Sequence, residues 1–346
     1  MPTATISFKP KQVVKRLLSS LPDRAHEIII LRYGLGKDPK RMTLDGIGKK
    51  YGITRERVRQ IENYALGMIR KSESYTEEKA AFGELETLLQ SLGGVVVEDD
   101  LLGHVSKDKG LQNHIHFLLT VGEPFKKIRE DDNFRHRWHT NEVLTKSVED
   151  ALHKLYGSLS TEDLLPESEM VQKLLNHLED VSEKYKNQEI MRRWLAISKK
   201  IGRNALGDWG VTHSSNIHTK GVRDYAFLVI RKHGSPIHFR DVAKQIEKLF
   251  NKKAHVATTH NELIKDKRFV LVGRGLYALA EWGYAPGVVR DVIRNIIEKN
   301  GPLTKEEVIS KVMKERYVKE NTIAVNLQNP KYFKHDKEGR FSVASI

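Results

Sequence analysis

Apolar residues recur every three or four positions along most of the chain, a spacing that predicts amphipathic helices. Val13, Val14, Leu17, Leu18 and Leu21 form the first such stripe. Pro22 suits the opening turn of a second helix, whose stripe of Ile28, Ile29 and Leu31 runs out at Gly34 and Gly36. Asp38-Pro39 makes a turn, and Thr43 caps a short helix over 44–51. Gly52 supplies a sharp turn, and Thr54 caps a longer helix reaching residue 70, with Val58, Ile61, Ala65 and Ile69 on its core face. Two helices joined so tightly predict a helix-turn-helix.

A separate face of that last helix carries Arg55, Glu56, Arg59 and Gln60 within an arc of about 140°. Arginine pairs with the guanine edge and glutamine with adenine, while glutamate accepts from the cytosine amino group. These residue types at the start of the second helix predict a major-groove recognition helix.

From Thr76 onward the spacing changes. Phe82, Leu85, Leu88, Leu89 and Leu92 predict a helix ended by Gly93-Gly94, with apolar residues 95–97 after it. A helix around Leu101, another over 111–119 and a strand pair within 125–138 complete a predicted winged helix over 76–142. Residues 143–205 read as mostly helical, including 152–155, 170–185 and 190–201. Asp208-Trp209-Gly210 and the polar run 212–220 read as a linker. Helices over 225–232, 240–249 and 257–264 then lead into a hairpin, 269–272 and 276–279, turning at Gly273-Arg274-Gly275.

The C-terminal segment repeats that plan. Gly234-Ser235-Pro236-Ile237 is answered by Gly301-Pro302-Leu303, and Val242 by Val308. Thr258, Leu263, Phe269 and Gly275 are answered by Thr322, Leu327, Phe333 and Gly339 at a constant offset of 64. The expected fold class is mainly α with small β-hairpin wings. It runs as a helix-turn-helix domain over 1–75, a winged helix over 76–142, a helical segment and linker over 143–220, and tandem winged helices over 221–284 and 285–346.

Residues 21–36 (L-P-D-R-A-H-E-I-I-I-L-R-Y-G-L-G) and 42–70 (M-T-L-D-G-I-G-K-K-Y-G-I-T-R-E-R-V-R-Q-I-E-N-Y-A-L-G-M-I-R) carry a family resemblance. Across about 10–72 the chain resembles region 4 of bacterial primary-type sigma factors. The resemblance implies a module that reads the −35 promoter element and docks on the RNA polymerase β flap. It places Arg55, Glu56, Arg59 and Gln60 against bases. It places Arg57, Thr43 and Arg70 against the DNA backbone, and Thr54, at the start of the recognition helix, is a further DNA-binding candidate.

Gly46 departs from the pattern, because the family carries an acidic residue or glutamine there. Its loss removes half of a capping box and is expected to weaken the 44–51 helix. About ten residues precede the first helix, so the expectation is a sigma-like reader without the domain that opens the −10 element.

Residues 223–230 (R-D-Y-A-F-L-V-I) through 271–279 (L-V-G-R-G-L-Y-A-L) resemble the HARE-HTH winged-helix family, which includes the polymerase delta subunit. That resemblance implies a nucleic-acid or polymerase partner. On its third helix Thr258, Thr259, His260 and Asn261 are candidates for phosphate or base contacts, with Arg274 entering a groove from the wing. The alternative is that these positions pack or cap while the module docks protein. For the helix that starts near Lys319 and Asn321, protein contact is expected.

Charge sharpens the picture. The net +14 divides into +9 over 1–75, −5 over 76–220 and +10 over 221–346, so two basic ends flank an acidic middle. The absence of cysteine removes disulfides, thiolate metal sites and thiol nucleophiles. No apolar run reaches membrane-spanning length, and a cytoplasmic, nucleoid-associated protein is expected. His114-x-His116 and His136-x-x-His139 lack the companion ligands of a zinc site, and the clusters 98–100 and 130–132 read as solvated acidic turns. No cofactor, metal or catalytic residue is expected.

These readings converge on a sequence-specific transcription regulator that binds double-stranded DNA and RNA polymerase core. The alternatives are a polymerase accessory subunit without sequence preference and, behind it, a DNA-processing enzyme.

Overall fold

The computed structural model describes residues 6–178, 181–284 and 287–344. They divide into two compact bodies, one of residues up to 203 with 208–212, the other of 204–207 with 213 onward.

The first body opens with α1 (Pro10–Leu18), α2 (Asp23–Tyr33), α3 (Leu44–Tyr51), α4 (Arg55–Lys71) and α5 (Glu73–Glu77). Pro10 occupies the first turn of α1, and Gly34 closes α2 in the left-handed conformation at φ 64°. A small core of fully buried Ile28, Ile47 and Val58 joins α2, α3 and α4. Polar clasps reinforce it: the Tyr33 hydroxyl donates to Glu62 at 2.9 Å, and the Tyr51 hydroxyl donates to Glu27 at 2.7 Å.

Next come α6 (Lys79–Ser91), β1 (Val95–Val97), α7 (Glu98–Val105), α8 (Lys109–Val121), β2 (Lys126–Ile128) and β3 (Arg137–His139). The strands form one antiparallel sheet in the order β1-β3-β2, which is winged-helix connectivity. One cluster of buried side chains runs from Val13 on α1 to Trp138 on β3, because α8 packs its apolar face on α1.

His116 belongs to that packing. Its ring lies 6.0 Å from Tyr33 and 5.9 Å from Trp138, and burial holds its pKa down to about 3. Glu98, expected in a solvated turn, accepts from Trp138 Nε1 at 2.8 Å and pairs with Lys127 at 2.5 Å.

The segment read as helix plus linker holds more structure than its pattern suggests. After α9 (Glu142–Ser158), α10 (Glu167–His177) and α11 (Gln188–Leu195), β4 (Ile201–Arg203) pairs with β5 (Trp209–Val211). Leu165 makes an antiparallel bridge to Trp209. This is the same connectivity again, with the first strand reduced to a single bridge. Trp209 is 4 % exposed and core-forming, so the stretch 208–210 is a strand of the domain and not the start of a linker. The helix expected over 170–185 ends at His177; its residues 179–180 lie outside the described set.

The second body holds α12 (Val222–His233), β6 (Ile237–His238), α13 (Phe239–Phe250), α14 (Val256–Lys265), β7 (Phe269–Gly273) and β8 (Leu276–Leu279), with sheet order β6-β8-β7. Then follow α15 (Val289–Asn300), α16 (Lys305–Glu315), α17 (Glu320–Leu327), β9 (Phe333–His335) and β10 (Phe341–Val343). Leu303 bridges Phe341 as Ile237 pairs Tyr277, so the internal repeat in sequence is a repeat in structure.

Asp224 and Asp291 cap α12 and α15 in the same way, each accepting the backbone N–H three residues before it, at 3.1 and 3.0 Å. The Tyr317 N–H donates to Val272 at 2.8 Å, and buried Arg316 donates to the carbonyls of Leu271 and Gly287. The two winged helices of this body are therefore joined by a backbone hydrogen bond and by the Arg316 guanidinium. Among the described residues no helix is long and apolar enough to cross a membrane.

Candidate nucleic-acid interface

The start of α4 is built by its caps. Thr54 is extended (φ −70°, ψ 153°), and its Oγ1 accepts the Arg57 N–H at 3.1 Å. Thr43 does the same for α3, accepting from Gly46 at 3.0 Å. Each cap of this kind stabilises its helix by about 1 kcal/mol. Both hydroxyls are thus already engaged, although both residues are exposed.

Only the accepting half of the capping box exists at α3, since Gly46 has no side chain to reach back. Replacing Gly46 with glutamate supplies it and removes a helical glycine. The expected result is a gain of about 1 kcal/mol, seen as a higher melting temperature of the transition that includes the helix-turn-helix.

With Val58 fully buried beneath them, Arg55, Glu56, Arg57, Arg59 and Gln60 are all exposed. They are organised in pairs. Arg59 donates to Glu56 through Nε at 2.9 Å and Nη2 at 2.7 Å, which holds the Glu56 carboxyl below its ordinary range. Arg57 Nη1 donates to Gln60 Oε1 at 3.1 Å. A ring of donors and acceptors held one turn deep at a helix N-terminus suits reading base edges. The backbone N–H groups of that end add attraction for phosphate.

Arg70 lies at the far end of α4. Its Nε donates to Val121 O at 3.0 Å and its Nη2 to Thr120 O at 2.9 Å, satisfying the last-turn carbonyls of α8. It is exposed and also acts as a strut between the two helices.

Of the candidates in the second body, Thr258, Asn261 and Arg274 are exposed, the first two on α14 and Arg274 in the β7–β8 turn. Gly275 follows it at φ 72°, where a Cβ would lie 2.5 Å from the His238 ring, so the turn is tied to the start of α13. Thr259 is completely buried, and its hydroxyl donates to His255 O at 3.0 Å. It is a core position and not a contact residue. His260 stacks on Phe239 at 4.2 Å. Among the described residues no group of three or more histidine, aspartate or glutamate side chains converges as a metal site.

The sequence reading missed Asn113 and Arg41. They hydrogen-bond at 2.7 Å between α8 and the loop before α3, and no local pattern marks such a long-range pair.

A short exposed polar face on the second helix of a helix-turn-helix, set by two threonine caps, is the architecture of DNA-binding modules of this type. The family model for sigma-70, region 4, matches residues 17–71, and this part of the chain is a domain of that family. RNA polymerase sigma factor RpoS of Coxiella burnetii (strain RSA 493 / Nine Mile phase I) is 47% identical over 57 residues, 16% of this chain and 16% of that protein. RNA polymerase principal sigma factor HrdD of Streptomyces griseus is 44% identical over 71 residues, 18% of this chain and 21% of that protein. The chain thus spans about a fifth or less of the curated relatives it matches.

Proposed function

We propose that the protein is a sequence-specific transcription regulator that reads promoter DNA with α4 and works with RNA polymerase core. The observation that carries this reading is the exposed Arg55-Glu56-Arg59-Gln60 face on a matched region 4 domain. The names of the two relatives, both polymerase sigma factors, support the polymerase partner. The exposed Thr258, Asn261 and Arg274 add phosphate contacts from the second body, as its resemblance to the HARE-HTH family suggests. In this reading the protein binds and does no chemistry, and it acts in the cytoplasm at the nucleoid.

Most affinity comes from lysine and arginine against phosphate, so binding falls steeply with salt. If about six to ten phosphates are engaged, the association constant drops roughly 10³- to 10⁵-fold between about 50 and 200 mM salt. Fluorescence anisotropy across a salt series measures this; a flat profile overturns an electrostatic interface.

Selection from a random duplex library, with and without core polymerase, tests the sequence preference. A recovered motif supports the regulator. Recovery of no motif, with polymerase co-purifying, replaces it by the accessory subunit. That second reading is favoured by the tandem winged helices, whose module at 223–279 resembles a family containing the polymerase delta subunit.

A further inference from the structure

Helix α8 occupies the third-helix position of its winged helix. The corresponding helix of the next-to-last module, α14, leaves Thr258 and Asn261 exposed. Helix α8 instead turns inward onto the helix-turn-helix, and it is fastened there at two points.

At the first point, Asn113 is 0 % exposed. Its Nδ2 donates to Pro39 O at 2.7 Å and Gly34 O at 3.0 Å, while its Oδ1 accepts from Arg41 Nε at 2.7 Å. Two carbonyl acceptors and one guanidinium donor admit a single orientation of the amide. The fit leaves no slack, since a Cβ on Gly34 would lie 2.6 Å from Asn113 Nδ2. All three partners belong to the 34–42 stretch that leads directly into Thr43 and α3.

At the second point, the α8 C-terminus receives Arg70 from the far end of α4. Between the two points, Phe117 packs edge-on against Tyr33 of α2 at 5.2 Å. Helix α8 therefore touches both the segment that places α3 and the helix that reads bases, and leaves the N-terminal end of α4 open.

We infer that α8 is a clamp that sets the angle of α4 to DNA, and that Asn113 is its positioning residue. This rests on the reading of α4 given above. Without the amide, the 34–42 stretch and α3 gain freedom, and the α4 side chains no longer meet base edges in register. Phosphate contacts, which need only charge, survive.

The test uses the full chain carrying Asn113→Ala or Asn113→Asp; aspartate keeps the acceptor for Arg41 and loses both donors. Affinity is measured for the selected site and for an unrelated duplex, beside circular dichroism and the melting temperature. The clamp predicts a fall of about tenfold in specific affinity with non-specific affinity unchanged. A residue of merely structural importance lowers the melting temperature and leaves the specific-to-non-specific ratio of the folded protein intact, which overturns the proposal.

Should the Asn113 variants lose the fold, Arg70→Lys, which keeps the charge and loses the forked donation to the two α8 carbonyls, gives the same readout, and an unchanged ratio there overturns it too. If the wild type shows no preference at all, the reading of α4 fails first. If Arg55→Ala narrows the ratio and Asn113→Ala does not, the clamp fails alone.

Discussion

Alanine in place of Arg55 or Gln60 lowers affinity for the preferred site by roughly 5- to 150-fold each, about 1–3 kcal/mol, and relaxes selection at one base pair. Both side chains are exposed on the first two turns of α4, and neither supports the core. Their removal should leave stability within about 0.5 kcal/mol, as for other surface positions. Arg55 is exposed on the first turn of α4, where its guanidinium is free of the core and suited to a guanine edge. Gln60 already accepts from Arg57, and its free amide N–H groups remain for an acceptor on DNA. Competition binding against single-base variants of the selected site separates the two positions. Equal affinity of wild type and both variants for that site would exclude α4 as the reader. A loss that is uniform over all sequences would demote the residue to a phosphate contact.

The helix-turn-helix was legible because its signals are local. Thr43 and Thr54 cap, Gly34 and Gly52 take positive φ, and Val58, Ala65 and Ile69 bury one stripe, each within a few residues of its partners. The tandem winged helices were legible through repetition, with Gly275 and Gly339 both at positive φ in their turns. What escaped depends on distant partners. Trp209 pairs with Arg203 on one side and with distant Leu165 on the other, and three-residue strands are too short for alternation to register. The strut made by Arg70 is invisible from its place on α4, because the α8 carbonyls it donates to come 50 and 51 residues later. Thr259 looked like a donor on an exposed turn, yet helical phase puts it inward beside Leu263.

A single methyl group on Gly48 should disable the reader without touching its reading face. Gly48 is buried in the last turn of α3, and a Cβ there would lie 2.6 Å from the Ile53 carbonyl oxygen. That atom is backbone, so no side chain can swing away. The Ile53 N–H also donates back to Gly48 O at 3.0 Å, which locks the two segments together. Gly48→Ala must therefore push α3 and α4 apart and open the packing of Ile47 on Val58. The expected destabilisation is about 3 kcal/mol, even though alanine gains about 1 kcal/mol over glycine within a helix. Gly52→Ala is the control. Gly52 sits at φ 65° with open space around it, so it carries only the left-handed backbone cost of about 1–2 kcal/mol. Denaturant unfolding of both variants, with anisotropy on the selected duplex, compares close approach with backbone conformation. If Gly48→Ala proves no worse than Gly52→Ala on both measurements, the close contact of α3 with the Thr54 cap segment is not what holds the reading helix in place.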